Sequence, residues 1–372
     1  MFAMPRPPLN PGVSLYLDLT RICAALMVCL HHLLQPPFFD RTIAIPGRSA
    51  VIVFFVISGF VIAYSSVGER DWRAYAVSRL GRVYSVAIPA LLLTGMVALA
   101  EALLWPNLVA ERQDWPGLRL LLSVFFVNQF WNLTIGVLSN GPYWSLCYEV
   151  WYYVLFGIVW FCSGWRRLIA AAMVVLLVGP RILLLMPIWL LGAGLYLALR
   201  RRGAEAAPRD REVFFVVVSL FVFVLLVYNP ASIVTNHVEQ SLHNGYWHVG
   251  SWRVFIGGDA HFAADYLLGL LFAVTVWFSG GVFDHKAVER LHGRVIRWCS
   301  SYTFSLYLYH APLMVFFHSL LMVALPDESP ALVLLVLIML GVWALGSVTE
   351  HRKEPYTALF RRLLSAGVPP RA

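Results

Sequence analysis

Eleven apolar stretches succeed one another along the 372-residue chain, near residues 14–34, 49–67, 83–104, 118–135, 144–163, 167–179, 182–199, 212–228, 262–280, 300–323 and 330–348. Most are about 20 residues long, the length at which an α-helix crosses the hydrocarbon core of a bilayer. With 60% hydrophobic and 13% charged residues, the chain is far from the roughly 45–50% and 25% of a soluble domain. These features exclude a water-soluble enzyme. They predict an all-α integral membrane protein with one polytopic domain over residues 1–372.

Charge placement sets the expected number of crossings. The stretch 118–135 is interrupted by Arg119, Asn128, Gln129 and Asn132, which suits a re-entrant or interfacial helix better than a span. Without it, ten spans remain and both termini share one side. That side then holds 21 of the 28 Lys and Arg residues. Six (Arg41, Arg48, Arg112, Arg119, Arg181 and Arg253) face the other side, and Arg21 lies within the membrane. Letting 118–135 cross would leave only seven bases on the N-terminal side. Basic residues gather on the cytoplasmic side, so ten spans with cytoplasmic termini are expected. The runs 167–179 and 182–199, broken by Pro180 and Arg181, are the shortest support for that count.

The net charge of +8 is explained by this bias and needs no nucleic acid. The five cysteines (Cys23, Cys29, Cys147, Cys162 and Cys299) sit in or beside apolar runs without CxxC spacing, which fits small buried residues rather than metal ligands. No metal is expected. The N-terminus lacks the charged start and small-residue cleavage site of a signal peptide. The loop 229–261 carries His237, His243, His248, Tyr246, Trp247 and Trp252, too irregularly spaced to argue for metal. Residues 349–372 read as a short basic cytoplasmic tail. No internal repeat is visible, against an inverted-repeat transporter.

Ionisable groups in a bilayer are costly and face a cavity or a partner. Arg21 and His32 are eleven positions apart, which puts them on one helix face about 16 Å apart. Asp18 lies one turn below Arg21; a structural Asp18–Arg21 pair with an interfacial histidine is one reading of this helix. Glu149 falls about a turn and a half inside the run that opens Trp144-Ser145-Leu146-Cys147-Tyr148, and it needs a base, a hydroxyl or a proton. His310 follows a row of hydroxyls, Ser301-Tyr302-Thr303 to Tyr307 and Tyr309, and would also serve as a satisfied helix–helix contact. Arg79 and Arg82, at i and i+3 just before the run 83–104, make a phosphate fork, although arginine is common in cytoplasmic loops.

In this order the pieces resemble the membrane acyltransferase 3 family, which includes O-antigen and exopolysaccharide O-acetyltransferases. Arg21 with ten residues before His32 is similar to the family's R-x10-H element, and Phe54-Phe55-Val56-Ile57-Ser58-Gly59-Phe60 to its FFVxSGF stretch. Arg79-x-x-Arg82-x-Tyr84 resembles its arginine motif, Trp144-Ser145-Leu146-x-x-Glu149 its WSLxxE element, and Ser301-Tyr302 through His310-Ala311-Pro312 its SYxxYLxH-x-P element. Glu354-Pro355-Tyr356 echoes the family's ending. Ser78 and Ser85 depart from an expected arginine and proline. No fused esterase-like domain, such as some members carry, is expected.

The resemblance implies an O-acyltransferase of the inner (plasma) membrane that modifies cell-envelope polysaccharide or a similar carbohydrate. It takes an acyl group, acetyl in the first instance, from acetyl-CoA or another acyl-CoA on the cytoplasmic side. The acceptor is a hydroxyl of a carbohydrate or glycolipid on the far side. Arg79, Arg82 and Tyr84 are then expected to hold CoA phosphates, with the pantetheine arm rising past Ser58 and Gly59. His32 is the expected general base or transient acyl carrier, since imidazole titrates near neutrality. Glu149 orients His32 or binds acceptor hydroxyls, and Arg21 and Asp18 pair along the channel. Trp144, Ser145, Tyr307 and His310 line the substrate path. The competing class is a proton-coupled transporter or flippase of a glycan or lipid, with Asp18, Arg21, Glu149 and His310 as a proton relay; it leaves the Arg79/Arg82 fork without a task.

Overall fold

A computed structural model describes residues 9–39, 42–69, 71–106, 113–202, 209–226, 262–282, 294–324 and 331–365. Among these residues every regular element is helical: α1 (Pro11–Leu33), α2 (Gly47–Ser66), α3 (Trp72–Leu104), α4 (Pro116–Val124), α5 (Trp144–Phe161), α6 (Gly164–Val178), α7 (Pro180–Arg202), α8 (Asp210–Leu226), α9 (Phe262–Phe278), α10 (Val295–Ser300), α11 (Thr303–Ala324), α12 (Ala331–Val348) and α13 (Glu354–Ser365). Seven segments are long and apolar enough to cross a membrane: Pro11–Leu33, Gly47–Ser66, Trp72–Leu104, Pro180–Arg202, Ala264–Gly281, Thr303–Ala324 and Ala331–Leu364. Helices α5, α6 and α8 fill three further apolar runs with 18, 15 and 17 residues. The His- and Trp-rich loop 229–261 lies outside the described residues.

Several local signals refine the reading from apolar runs. Asp71 accepts hydrogen bonds from the N–H groups of Arg73 and Ala74, both 2.9 Å, and so caps α3 eleven residues before the apolar run begins. Arg79 and Arg82 therefore lie inside a 33-residue helix, not at its mouth. The stretch 118–135 contains only the nine-residue α4, far short of a crossing. The chain then turns irregularly through Phe126 and Trp131, both with positive φ. Aromatic donors satisfy the carbonyls in and beside this loop: Tyr84 donates to Val124 at 2.9 Å, Trp151 to Phe126 at 2.8 Å and Tyr143 to Ser123 at 3.1 Å. Non-helical backbone at membrane depth persists only where protein satisfies it.

Gly179 separates α6 from α7. Its φ is 81°, and a Cβ there would stand 2.9 Å from Trp131 Cα. Among the described residues after 348, Glu354–Ser365 form a helix that packs on α3. Phe360 of α13 meets the Tyr84 ring at 5.3 Å, and a Cβ on Gly81 would stand 2.5 Å from Thr357 Oγ1. The amphipathic α13 is thus seated on α3.

Helix α2 is central and packs against α1, α5, α7 and α9. Its tightest contact is with α7 and uses glycine on both sides. A Cβ on Gly59 would lie 1.9 Å from the Trp189 carbonyl oxygen, and one on Gly192 1.9 Å from that of Val56. Small residues allow such backbone approach between helices in lipid, where dispersion rather than the hydrophobic effect holds helices together. Gly59 therefore faces a helix, and the expected passage of a pantetheine arm beside it is not available. Large apolar side chains turn outward, Leu103, Leu168 and Leu332 being more than 70% exposed, which suits a lipid-facing perimeter.

Gly59→Ala is expected to lower the thermal unfolding midpoint in detergent by the equivalent of about 1–3 kcal/mol or more, the cost of overpacking. Gly194→Ala, whose Cβ would meet open space, should change it little. Equal stability of the two variants would contradict the tight α2–α7 contact.

Candidate active site

Ser145, Glu149 and Tyr153 recur every four residues along α5, so they share one helix face. That face borders a cavity completed by Arg21 of α1, Ser58 of α2, Arg79 and Arg82 of α3, and Tyr307 of α11. Glu149 is held there by two hydroxyls. Ser58 Oγ and Tyr153 Oη both donate to its Oε1, and Trp189 Nε1 donates to Ser58 Oγ at 3.1 Å. This row of donors fixes the carboxylate against the wall. Arg79 is buried; it donates to Ser65 Oγ at 2.6 Å and lies 5.1 Å over the Tyr75 ring. Arg82 is exposed. Three guanidinium groups thus border this cavity against one carboxylate among the described residues.

A second cavity opens at the end of the bundle where α1 finishes and α2 begins. Its walls carry His31, His32, Arg48, Gln129, Thr134, Trp144 and Arg181. It is wide where the first is narrow, about 410 Å³ against about 90 Å³. The His32 ring stacks on His310, centroids 5.5 Å apart and planes 26° apart. His310 is fully buried, with Nδ1 2.9 Å from the Leu306 carbonyl. A carbonyl only accepts, so Nδ1 carries the proton and Nε2 presents a lone pair, which has no hydrogen-bond partner. His31 is occupied differently: its Nδ1 donates to the Ile45 carbonyl at 2.6 Å, and the bare Cα of Gly47 makes room for its ring.

Val51 and Tyr307 border both cavities. The Tyr307 hydroxyl lies 2.6 Å from Ser145 Oγ and donates to the Pro142 carbonyl at 3.0 Å. Phe54 meets its ring edge-on at 5.6 Å. Tyr307 therefore stands where the two spaces meet, a narrow basic cavity on one side and a wide one containing an imidazole on the other.

The residues singled out from sequence distribute unevenly over these two spaces. Arg21, Ser58, Arg79, Arg82, Ser145 and Glu149 border the first; His32 and Trp144 border the second; Tyr307 borders both. His310 stands behind His32. Asp18 borders neither and lies beyond salt-bridge contact with Arg21. Tyr84 also lies elsewhere, its hydroxyl committed to Val124. Glu149 makes no hydrogen bond to His32: the two border different cavities, and the rings beside His32 are those of His31 and His310. Sequence reasoning overlooked Trp189 and Tyr153 in the Glu149 group. Tyr153 was detectable at i+4 from Glu149; Trp189 arrives from a distant helix and left no local signal. Arg48 and Arg181 were noted only as far-side charges.

Residues 14–348 match the acyltransferase 3 profile, described as an acyltransferase domain. The chain is 30% identical over 158 residues to the acyltransferase MdmB of Streptomyces mycarofaciens, covering 39% of this chain and 37% of that protein. It is 27% identical over 152 residues to the O-acetyl transferase of Shigella phage Sf6, covering 38% and 44%. The matched stretches span less than half the length of either relative. No solved structure matches.

Tyr153→Phe removes one of the two hydroxyls on Glu149 and is expected to cost about 1.5–3 kcal/mol, the range for a hydrogen bond to a charged group. Denaturant titration in detergent measures this; an unchanged midpoint would show that the Tyr153 hydroxyl contributes nothing to holding Glu149.

Proposed function

The chain belongs to the acyltransferase 3 family, and on that premise we propose that it is a ten-span O-acyltransferase of the inner (plasma) membrane with both termini in the cytoplasm. It takes an acyl group, acetyl in the first instance, from acyl-CoA at the cytoplasmic face. It delivers that group to a hydroxyl of a carbohydrate or glycoconjugate at the opposite face. The supporting observation is the pair of cavities that meet at Tyr307, one with Arg21, Arg79 and Arg82 and the other with His32.

The division of residues suits the two substrates. Coenzyme A carries several phosphates, for which Arg82, open to the cavity, and Arg79, buried in its wall one turn earlier on the same helix, offer positive charge. A narrow cavity accepts the linear pantetheine arm and brings the thioester toward Tyr307. A bulky acceptor needs the wider cavity, where Trp144 offers a stacking face and Gln129 and Thr134 offer hydrogen bonds. This assignment moves Tyr84 out of the CoA site and gives Ser58 the task of holding Glu149.

A sugar hydroxyl is a poor nucleophile at neutral pH, and a positioned imidazole contributes roughly 10²–10⁴-fold as general base. His32 takes the hydroxyl proton as the oxygen attacks the thioester carbonyl. The C–S bond breaks, the CoA thiolate leaves, and the proton held by His32 neutralises it. In the covalent variant His32 attacks the thioester carbonyl first and expels the CoA thiolate; the hydroxyl then takes the acyl group, freeing His32, and its proton neutralises the thiolate. Both routes need a neutral His32, and His310 supports that state: its proton is committed to Leu306, so it brings no charge of its own to the stacked ring.

His32→Ala is expected to lower acyl transfer by at least about 10²-fold with expression and thermal unfolding intact; full activity would remove His32 from the chemistry. Arg82→Ala should raise the KM for acyl-CoA more than that for the acceptor. Equal effects on both substrates in steady-state kinetics would speak against a donor site at that end.

A further inference from the structure

Two arginine side chains line the wide cavity, a feature that an alcohol group alone does not call for. Arg48 and Arg181 both border it beside His32, and none of its described lining residues is an acid. Each guanidinium is held in place. Asp265, in the first turn of α9, grips Arg48 through Nε at 3.2 and 3.3 Å and through Nη2 at 2.6 Å. Arg181 is 8% exposed; its Nη1 reaches Thr134 Oγ1 at 3.2 Å and the Leu133 carbonyl at 3.4 Å. Both guanidinium groups line the same cavity as the His32 imidazole, which places fixed cations where an acceptor would sit. The rigid guanidinium fork matches a carboxylate or a phosphate in both shape and charge.

We propose that the acceptor carries an acidic group, a phosphate or a carboxylate, which Arg181 and Arg48 bind so that a neighbouring hydroxyl lies against His32. The proposal rests on the acyltransferase reading above and adds the substrate class of its wide cavity. The donor's own phosphates do not account for these arginines, because the first cavity has three guanidinium groups and Tyr307 and Val51 stand between the two spaces. Anchoring the acceptor by its charge also supplies positioning, which holds the reacting atoms together before the barrier is climbed.

The test uses the full chain in lipid nanodiscs, with coenzyme A present to occupy the cavity of Arg79 and Arg82. Calorimetry compares three probes: methyl glucoside, methyl glucuronide and glucose 1-phosphate. At least one acidic probe is expected to bind about tenfold or more tightly than the neutral one, the scale of a charge-assisted hydrogen bond. Which of the two does so tells carboxylate from phosphate. Arg181→Gln should erase most of that preference and Arg181→Lys should keep part of it, which separates charge from folding. Equal binding of all three probes, or an unchanged preference in Arg181→Gln, would overturn the proposal. Coenzyme A titrated alone tests the donor site independently, so a failure of the underlying acyltransferase reading is told apart from a failure of this one.

Discussion

Charge in hydrocarbon has to be met by water, by a counter-charge or by hydrogen bonds, and this bundle brings Arg21, Arg79, Arg82 and Glu149 to one space and His32, Arg48 and Arg181 to another, with one wall in common. Tyr307 is that wall. Its hydroxyl is committed to Ser145 and Pro142 and its ring to Phe54, so a side chain of α11 is tied into both α5 and α2. The arrangement keeps cations suited to phosphates apart from an imidazole suited to an alcohol. It also leaves only the thickness of one aromatic residue between them.

The precision of that wall depends on packing elsewhere. Ser58 reaches Glu149 because α2 sits close to α5, and Trp189 reaches Ser58 because α7 sits close to α2. The second approach is set by Gly59 and Gly192, whose missing side chains let the two backbones nearly touch. Helix packing and site chemistry are therefore one structure: a methyl group at Gly59 would push Trp189 away from the hydroxyl that orients Glu149. The same reasoning links α13 to the arginine end of the first cavity, since Thr357 packs over Gly81, which lies between Arg79 and Arg82 in the chain.

Much of this was legible beforehand. Long apolar runs identified the helices, because lipid demands both length and apolarity of any segment that crosses it. Arg21, His32, Glu149 and His310 stood out because ionisable groups in such runs are rare. What was not legible depended on contacts between distant segments. Spacing placed Arg21 and His32 on one face of α1, yet it could not show that they border different cavities or that His32 meets His310 instead of Glu149. Asp18 looked paired with Arg21 at i+3, but the two make no salt bridge. Gly59 read as room for a ligand, whereas the room is taken by Trp189. The start of α3 was missed because hydropathy marks where lipid begins, while the Asp71 cap marks where the helix begins.

The central claim is that donor and acceptor approach from opposite faces and react across the Tyr307 wall. Oriented proteoliposomes test it directly, with acetyl-CoA sealed on the face of Arg82 and a carbohydrate acceptor supplied only on the face of His32. The account predicts acylated acceptor on the outside and free coenzyme A retained inside, with no product when the two compartments are exchanged. Product formed only when both substrates share one compartment would contradict it.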